Sequence, residues 1–215
     1  EEGDRYCRMT ADAAAEALGI KADAVLLGST GVIGMQLPID KMQAGAKKLA
    51  TLLASDIDAG TQAAQAIMTT DTHKKEIAYT FTVGGKTATI GGMAKGSGMI
   101  HPNMCTMLAY VTTDAAIAQP MLQKAVSEIV VDAFNMISVD GDTSTNDTLL
   151  VLANGMAGNE EITAEGADYE AFYAALKEVC THLAKEMAAD GEGATKLVES
   201  IVEGADTKEH ARILA

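Results

Sequence analysis

Between Ala88 and Asp114 the chain reads ATIGGMAKGSGMIHPNMCTMLAYVTTD. A β-type run leads into a loop containing Gly91, Gly92, Gly96 and Gly98, and Thr106 then opens a second apolar run. Glycine permits backbone angles that residues with a Cβ disfavour. Lys95 is the only Lys, Arg, Asp or Glu between Ala88 and Val111. A lone ammonium among glycines is suited to pair with a carboxylate. A threonine at the head of an apolar strand is a hydroxyl that the fold can hold rigidly. The same pattern also fits a tight loop with a solvated lysine, and spacing alone leaves both readings open.

Three more positions have usable chemistry. Gly28-Ser29-Thr30-Gly31 is a loop of small side chains and free amides, Thr69 has a hydroxyl to donate, and the Glu192 carboxylate can hold an ammonium. In isolation the commoner readings of these three are a turn, a helix-end threonine and a turn glutamate. Asp140, Asp142 and Asp147 sit in DGDTSTND, which is similar in composition to a calcium loop. Gly141 at its second position and the lack of a closing Glu break that spacing, so the segment reads as a turn network beside the site. GGMAKGSG lacks the Gly-Lys-Ser/Thr ending of a phosphate loop. His101 reads as a polar neighbour with a structural role.

The elements that must position these residues follow from periodicity and punctuation. Thr10 is expected to cap a helix over Ala11–Leu18 that stops at Gly19. Ala24–Leu27 reads as a short strand. Pro38 and Asp40 open a helix continuing through Met42–Ala54, Asp56-Ile57-Asp58 breaks it, and Thr61 caps a short helix ending before Thr69. Lys75–Val83 alternates as a strand, Gly84-Gly85 is a two-residue hairpin turn, and Lys86–Ile90 returns. Thr106–Thr112 is rich in strand formers. Asp114 and Pro120 open a helix to about Asn135, Ser138–Asn146 is a polar loop, and Thr148–Ala153 a buried strand. Ala167–Ala189 is an amphipathic helix with Phe172, Leu176, Cys180 and Leu183 at helical spacing. Gly191-Glu192-Gly193 is a turn, Thr195–Val202 a strand, and Thr207–Ala215 a helix. This is a mixed α and β pattern in layers.

The chain has 215 residues, enough for one domain with a sizeable core. Tryptophan is absent and aromatics are 4%, so aliphatic residues and 12 methionines must fill that core. A formal charge of −14 argues against nucleic acid or an anionic membrane as partner. Cys7, Cys105 and Cys180 are widely spaced without a CxxC, which fits neither a zinc site nor a disulfide framework. A reduced, cytoplasmic setting is the simplest reading. No run is long and apolar enough to span a membrane.

The stretch GGMAKGSGMIHPNMCTML closely resembles the glutamate N-acetyltransferase (ornithine acetyltransferase) family of arginine biosynthesis, whose pattern GGxAKGSGMIxPNMxTML is highly specific. The resemblance continues through Ser29–Gly34 (STGVIG), Met68–Thr72 (MTTDT), Ser138–Thr148 (SVDGDTSTNDT) and Gly191–Lys196 (GEGATK), in the family's order. It implies an α+β fold of the αββα layered type shared with DmpA-like proteins. It implies that Thr106 is both self-cleavage point and nucleophile, with the cut after Cys105. Thr30 and Gly31 match the oxyanion-hole pair, and Thr69, Lys95, Thr106 and Glu192 match substrate-binding positions. The implied organisation is one catalytic domain over 1–215, truncated at both ends relative to the family. Residues 1–105 would belong to the alpha chain and 106–215 to the beta chain of a heterotetramer of two alpha and two beta chains.

The implied activity is acetyl transfer from N-acetylornithine to glutamate through an acetyl-threonine. No metal or other cofactor is implied, although acetyl-CoA serves some relatives as co-substrate. Self-cleavage has a chemical use, because it leaves an α-amine with an unperturbed pKa of about 7.7–8.0 beside the hydroxyl as a base. Cys105 departs from the alanine common at that position and is small enough to fit. Two alternatives stand beside this reading: an N-terminal-nucleophile aminopeptidase or amidase of related fold, and a non-catalytic fragment.

Overall fold

A computed structural model describes residues 2–32, 34–101 and 107–215. Its centre is a four-stranded sheet in the order β1-β2-β3-β4, formed by β1 (Lys75–Val83), β2 (Lys86–Lys95), β3 (Leu108–Thr113) and β4 (Thr148–Ala153). Gly84 and Gly85, with φ of +54° and +69°, close the β1–β2 hairpin in register Val83 to Lys86. Two consecutive residues at positive φ match the strand twist, which is why glycines stand there. β2 and β3 are antiparallel, pairing Lys95 with Leu108. β3 and β4 are parallel, pairing Leu108 with Thr148. A parallel pair needs a long crossover, and α4 (Gln119–Asp132) lies within it.

Alternate strand residues face α5 (Ala167–Ala189), which lies across β1 and β2. Its Phe172, Leu176, Val179, Leu183 and Met187 are buried against Ile90, Ala94 and Val111. The Phe172 ring meets Phe81 edge to face at 6.2 Å. Gly92 permits this approach: a Cβ there would lie 3.0 Å from Val111 Cγ2, 3.1 Å from Leu183 Cδ1 and 3.2 Å from Val179 Cγ1. α4 packs beside α5 through Ala125 and Ile129. On the sheet face away from α5, Ala78, Thr80, Thr82, Thr89, Thr112 and Leu152 are exposed.

α1 (Glu2–Leu18) packs against α2 (Ile39–Ala50). α1 begins well before the helix expected over Ala11–Leu18, so Thr10 lies inside it and bonds back to the Tyr6 carbonyl at 2.9 Å rather than capping. Gly19, at φ +68°, ends it, and the Ile20 N–H reaches the Ala15 carbonyl at 3.1 Å. Asp56 caps α3 (Ile57–Ala66) by accepting the Ala59 N–H at 2.8 Å. Thr61 therefore sits within that helix and donates to Glu76 instead. α6 (Lys208–Leu214) is capped by Thr207.

The strands expected at Ala24–Leu27 and Thr195–Val202 are absent: Ala22–Ala24 is a 3-10 turn and the rest has no regular structure. Neither run has a neighbouring strand among the described residues, and an apolar run without a ladder partner has no means of becoming a strand. The helix expected from Asp114 begins at Gln119, because Asp114 is engaged as an acceptor for the Thr89 N–H at 2.7 Å. It ends at Asp132, before a 3-10 turn over Phe134–Met136.

Candidate active site

The loop Thr69–Thr72 leads from α3 into β1 and lies against the end of β2. Asp71 organises it. One carboxylate oxygen accepts the Thr69 N–H at 3.1 Å, and the other accepts the Gly96 N–H at 2.7 Å and the Lys75 ammonium at 2.7 Å. Lys75 also donates to Asp190, the residue that closes α5, at 2.6 Å. Asp190 accepts the Thr72 N–H at 3.0 Å and the Thr72 hydroxyl. The three charged side chains are essentially inaccessible, at 0%, 0% and 3%. Burial pushes the Asp190 carboxyl up, but the Lys75 and Thr72 bonds outweigh it and hold it at about 2. Asp71 is likewise lowered against its burial, by the Gly96 N–H, Lys75 and the Thr69 N–H.

Lys95, the last residue of β2, is buried, and its ammonium lies 3.4 Å from the Thr69 hydroxyl. Among the described residues no carboxylate forms an ion pair with it. Burial lowers its pKa, with the charges of Asp71 and Asp147 pulling it up and that of Lys75 pushing it down. Ser97 bonds Thr70 hydroxyl to hydroxyl at 2.7 Å, and its carbonyl accepts the Glu192 N–H at 2.6 Å. The exposed Glu192 side chain lies over Gly98, where a Cβ would stand 2.8 Å from its carboxylate carbon. Thus the structure brings Thr69, Lys95 and Glu192 to one loop cluster.

The polar loop after α4 secures the glycine loop's far side. Asp140 accepts the Met99 N–H at 2.5 Å and the Ile100 N–H at 2.9 Å. Met99 sits at φ +55°, a conformation side chains resist. Asp147 accepts the Met107 N–H at 3.0 Å; its burial raises its pKa, against the Met107 bond and the Lys95 charge. Cys105 and Thr106, the expected cleavage pair, lie outside the described residues. Gly28, in the loop carrying Thr30 and Gly31, contacts the strand that follows Thr106: Tyr110 on β3 donates to its carbonyl at 3.2 Å. A Cβ on Gly28 would meet that hydroxyl at 2.6 Å. Thr30 is half-buried and Gly31 exposed, and no hydrogen bond among the described residues joins either to Thr69, Lys95 or Glu192.

A family model described as the ArgJ family matches residues 1–215. The chain belongs to the ArgJ family. The arginine biosynthesis bifunctional protein ArgJ of Symbiobacterium thermophilum is 55% identical over 212 residues, which is 99% of this chain and 52% of that protein. Its namesakes in Lactococcus lactis and Bacillus subtilis are 51% and 50% identical, over 53% and 52% of their lengths. The chain therefore spans about half the length of these curated relatives. A crystal structure of arginine biosynthesis bifunctional protein argJ from Bacillus halodurans shares 51% identity over 48% of each chain, with a TM-score of 0.46.

In this ArgJ-family chain the residues that sequence reasoning passed over are Lys75, Asp190 and Tyr110. One signal was available. Lys75 occupies the same strand phase as Ile77 and Phe81, which pack on the core, and a lysine on an apolar phase needs a buried partner. That Asp190 supplies this partner from 115 residues away is a tertiary fact.

Proposed function

We propose that the full-length protein carrying this chain is an acetyltransferase that moves an acetyl group from N-acetylornithine to glutamate. The observation that carries this reading is the buried Lys95 ammonium, set beside the Thr69 hydroxyl and paired with no carboxylate among the described residues. A buried cation without an ionic partner is costly, and a substrate carboxylate arriving there would supply the missing charge. Glu192, displayed over Gly98, is suited to the side-chain ammonium of an ornithine derivative. The family membership and the specific run through Thr106 support the same assignment.

In this proposal the Thr106 hydroxyl first attacks the Cys105 carbonyl, the Cys105–Thr106 C–N bond breaks, and the freed amine takes the hydroxyl proton. Water then hydrolyses the resulting ester, which separates residues 1–105 from 106–215 as parts of an alpha and a beta chain. The freed α-amine serves as base when the same hydroxyl attacks the acetyl carbonyl. Backbone N–H donors at Thr30 and Gly31 hold the developing oxyanion. The amide C–N bond breaks and ornithine leaves with the proton; the glutamate amine then attacks the acetyl carbon, the ester C–O bond breaks, and the Thr106 oxygen takes a proton back to regenerate the hydroxyl. No metal or other cofactor enters this scheme, and acetyl-CoA is a second candidate donor. The fold reading extends likewise: the sheet is one layer of an αββα sandwich, with its threonine-rich face packed on a second sheet. Two alpha and two beta chains form the assembly.

The test is a steady-state assay of the full-length protein with N-acetylornithine and glutamate, read as ornithine and N-acetylglutamate released. Lys95→Ala is expected to raise KM by about tenfold or more, the scale of one charge-assisted hydrogen bond, and to leave chain cleavage intact. Unchanged kinetics for both substrates would remove Lys95 from the site.

A further inference from the structure

Thr69 and Lys95 approach each other from two different segments, and one carboxylate holds the backbone of both. Asp71 takes the Thr69 N–H on Oδ2 and the Gly96 N–H, immediately after Lys95, on Oδ1. A carboxylate this deeply buried persists only when its acceptor positions are filled. Two of its three donors are backbone groups of the candidate site, and the third, Lys75, is gripped from its far side by Asp190. Those two backbone donors flank the Lys95 ammonium and the Thr69 hydroxyl, so the carboxylate fixes the segments that carry both. The geometry points to Asp71 as a positioning residue for substrate binding, which sets the separation between the Lys95 ammonium and the Thr69 hydroxyl. This rests on the proposal that those two residues receive the substrate carboxylate.

The same placement has an electrostatic consequence. The charged groups acting on Lys95 are Asp71 from the loop before β1, Lys75 from β1 and Asp147 from the loop before β4. Asp71 and Asp147 favour the ammonium, while burial and Lys75 oppose it. Neutralising Asp71 therefore makes Lys95 lose its proton at lower pH. Asp190 belongs to the same ion cluster but bonds neither Thr69 nor Gly96 and is not among the charges that shift Lys95. It is the natural control.

The experiment measures KM, kcat and the pH profile of kcat/KM in the full-length protein, with N-acetylornithine as the varied substrate. It compares wild type with Asp71→Asn, Asp71→Glu, Asp190→Asn and Lys95→Ala. Asp71→Asn is expected to raise KM by about tenfold or more, to change kcat much less, and to move the alkaline limb to lower pH. Asp190→Asn should lower thermal stability while keeping the wild-type KM and alkaline limb. Where Asp71→Asn does not accumulate as folded protein, Asp71→Glu decides: its longer side chain displaces the two N–H groups but keeps the charge, so KM rises and the limb stays in place. A wild-type KM for both Asp71 variants, alongside a raised KM for Lys95→Ala, overturns the positioning role and leaves the site reading standing. Asp190→Asn reproducing both effects of Asp71→Asn also overturns it, because Asp71 is then scaffold. A wild-type KM for Lys95→Ala overturns the site reading, and with it the role of Asp71.

Discussion

Lys75 opens β1 and Asp190 closes α5, and their side chains meet in the interior with Nζ 2.6 Å from Oδ2. The contact ties the sheet, the helix that covers it and the Thr69–Thr72 loop into one unit. Removing Lys75 leaves two buried carboxylates without their cation. Lys75→Met is expected to cost about 3–5 kcal/mol of stability, the usual penalty for breaking a buried pair from one side. Denaturant unfolding measures it.

The same cluster gives stability a pH dependence. The Asp190 carboxyl is lowered from its ordinary 3.8 to about 2. A group lowered on folding contributes its full stabilisation above the unfolded value and loses it as pH falls through the folded value. Stability should therefore fall between about pH 4 and pH 2, by about 2 kcal/mol from this carboxyl. Asp190→Asn should flatten that part of the curve. A curve of unchanged slope in this variant would contradict the assignment.

Gly92 is where α5 comes closest to β2. Gly92→Ala places a methyl 3.0–3.2 Å from Val111, Leu183 and Val179, all of which are buried in the same core. Overpacking of this kind costs about 1–3 kcal/mol. A lowered Tm with an unchanged far-UV spectrum is the expected result.

Much of the fold was readable because its signals are local. The spans of Lys75–Val83 and Ala167–Ala189 agree with their alternation or helical period, since each packs one face against the same core. The span of Thr148–Ala153 agrees as well, but the strand expected to be buried is only half-buried and leaves Leu152 exposed, because β4 is the edge of the sheet. The failures have the opposite cause. Ala24–Leu27 and Thr195–Val202 have strand-like composition, but strand formation depends on a partner that composition does not reveal. Thr10 has a cap's chemistry, yet the residues before it are helical. At the site, Lys95 stood out as a lone charge and Thr69 through its motif. Their closure runs through Asp71, which holds the Thr69 and Gly96 N–H groups, and the Lys75–Asp190 pair behind it comes from the far end of α5, a contact no local pattern reveals.

Gly98 makes room for Glu192. A Cβ there would stand 2.8 Å from the Glu192 carboxylate carbon and 2.9 Å from Oε1. Because Glu192 is exposed, Gly98→Ala should displace its side chain rather than strain the fold. Stability is expected to change by less than about 0.5 kcal/mol, as for most surface substitutions, while KM for N-acetylornithine rises. Kinetics paired with thermal unfolding separates the two effects. A wild-type KM would show that Glu192 does not hold the substrate ammonium.

The central claim is that Thr106 acts twice, cutting the chain and then carrying the acetyl group. Intact-mass analysis of the full-length protein, before and after incubation with N-acetylornithine, tests it most directly. Wild type should appear as two fragments meeting at Cys105 and Thr106, with the C-terminal fragment gaining one acetyl group. Thr106→Ser should still cut and transfer, more slowly, because it keeps the hydroxyl but loses the methyl that restricts χ1. Thr106→Ala should remain uncut and unacetylated. A Thr106→Ala protein that is still cleaved at that bond and still acetylates glutamate would contradict the claim.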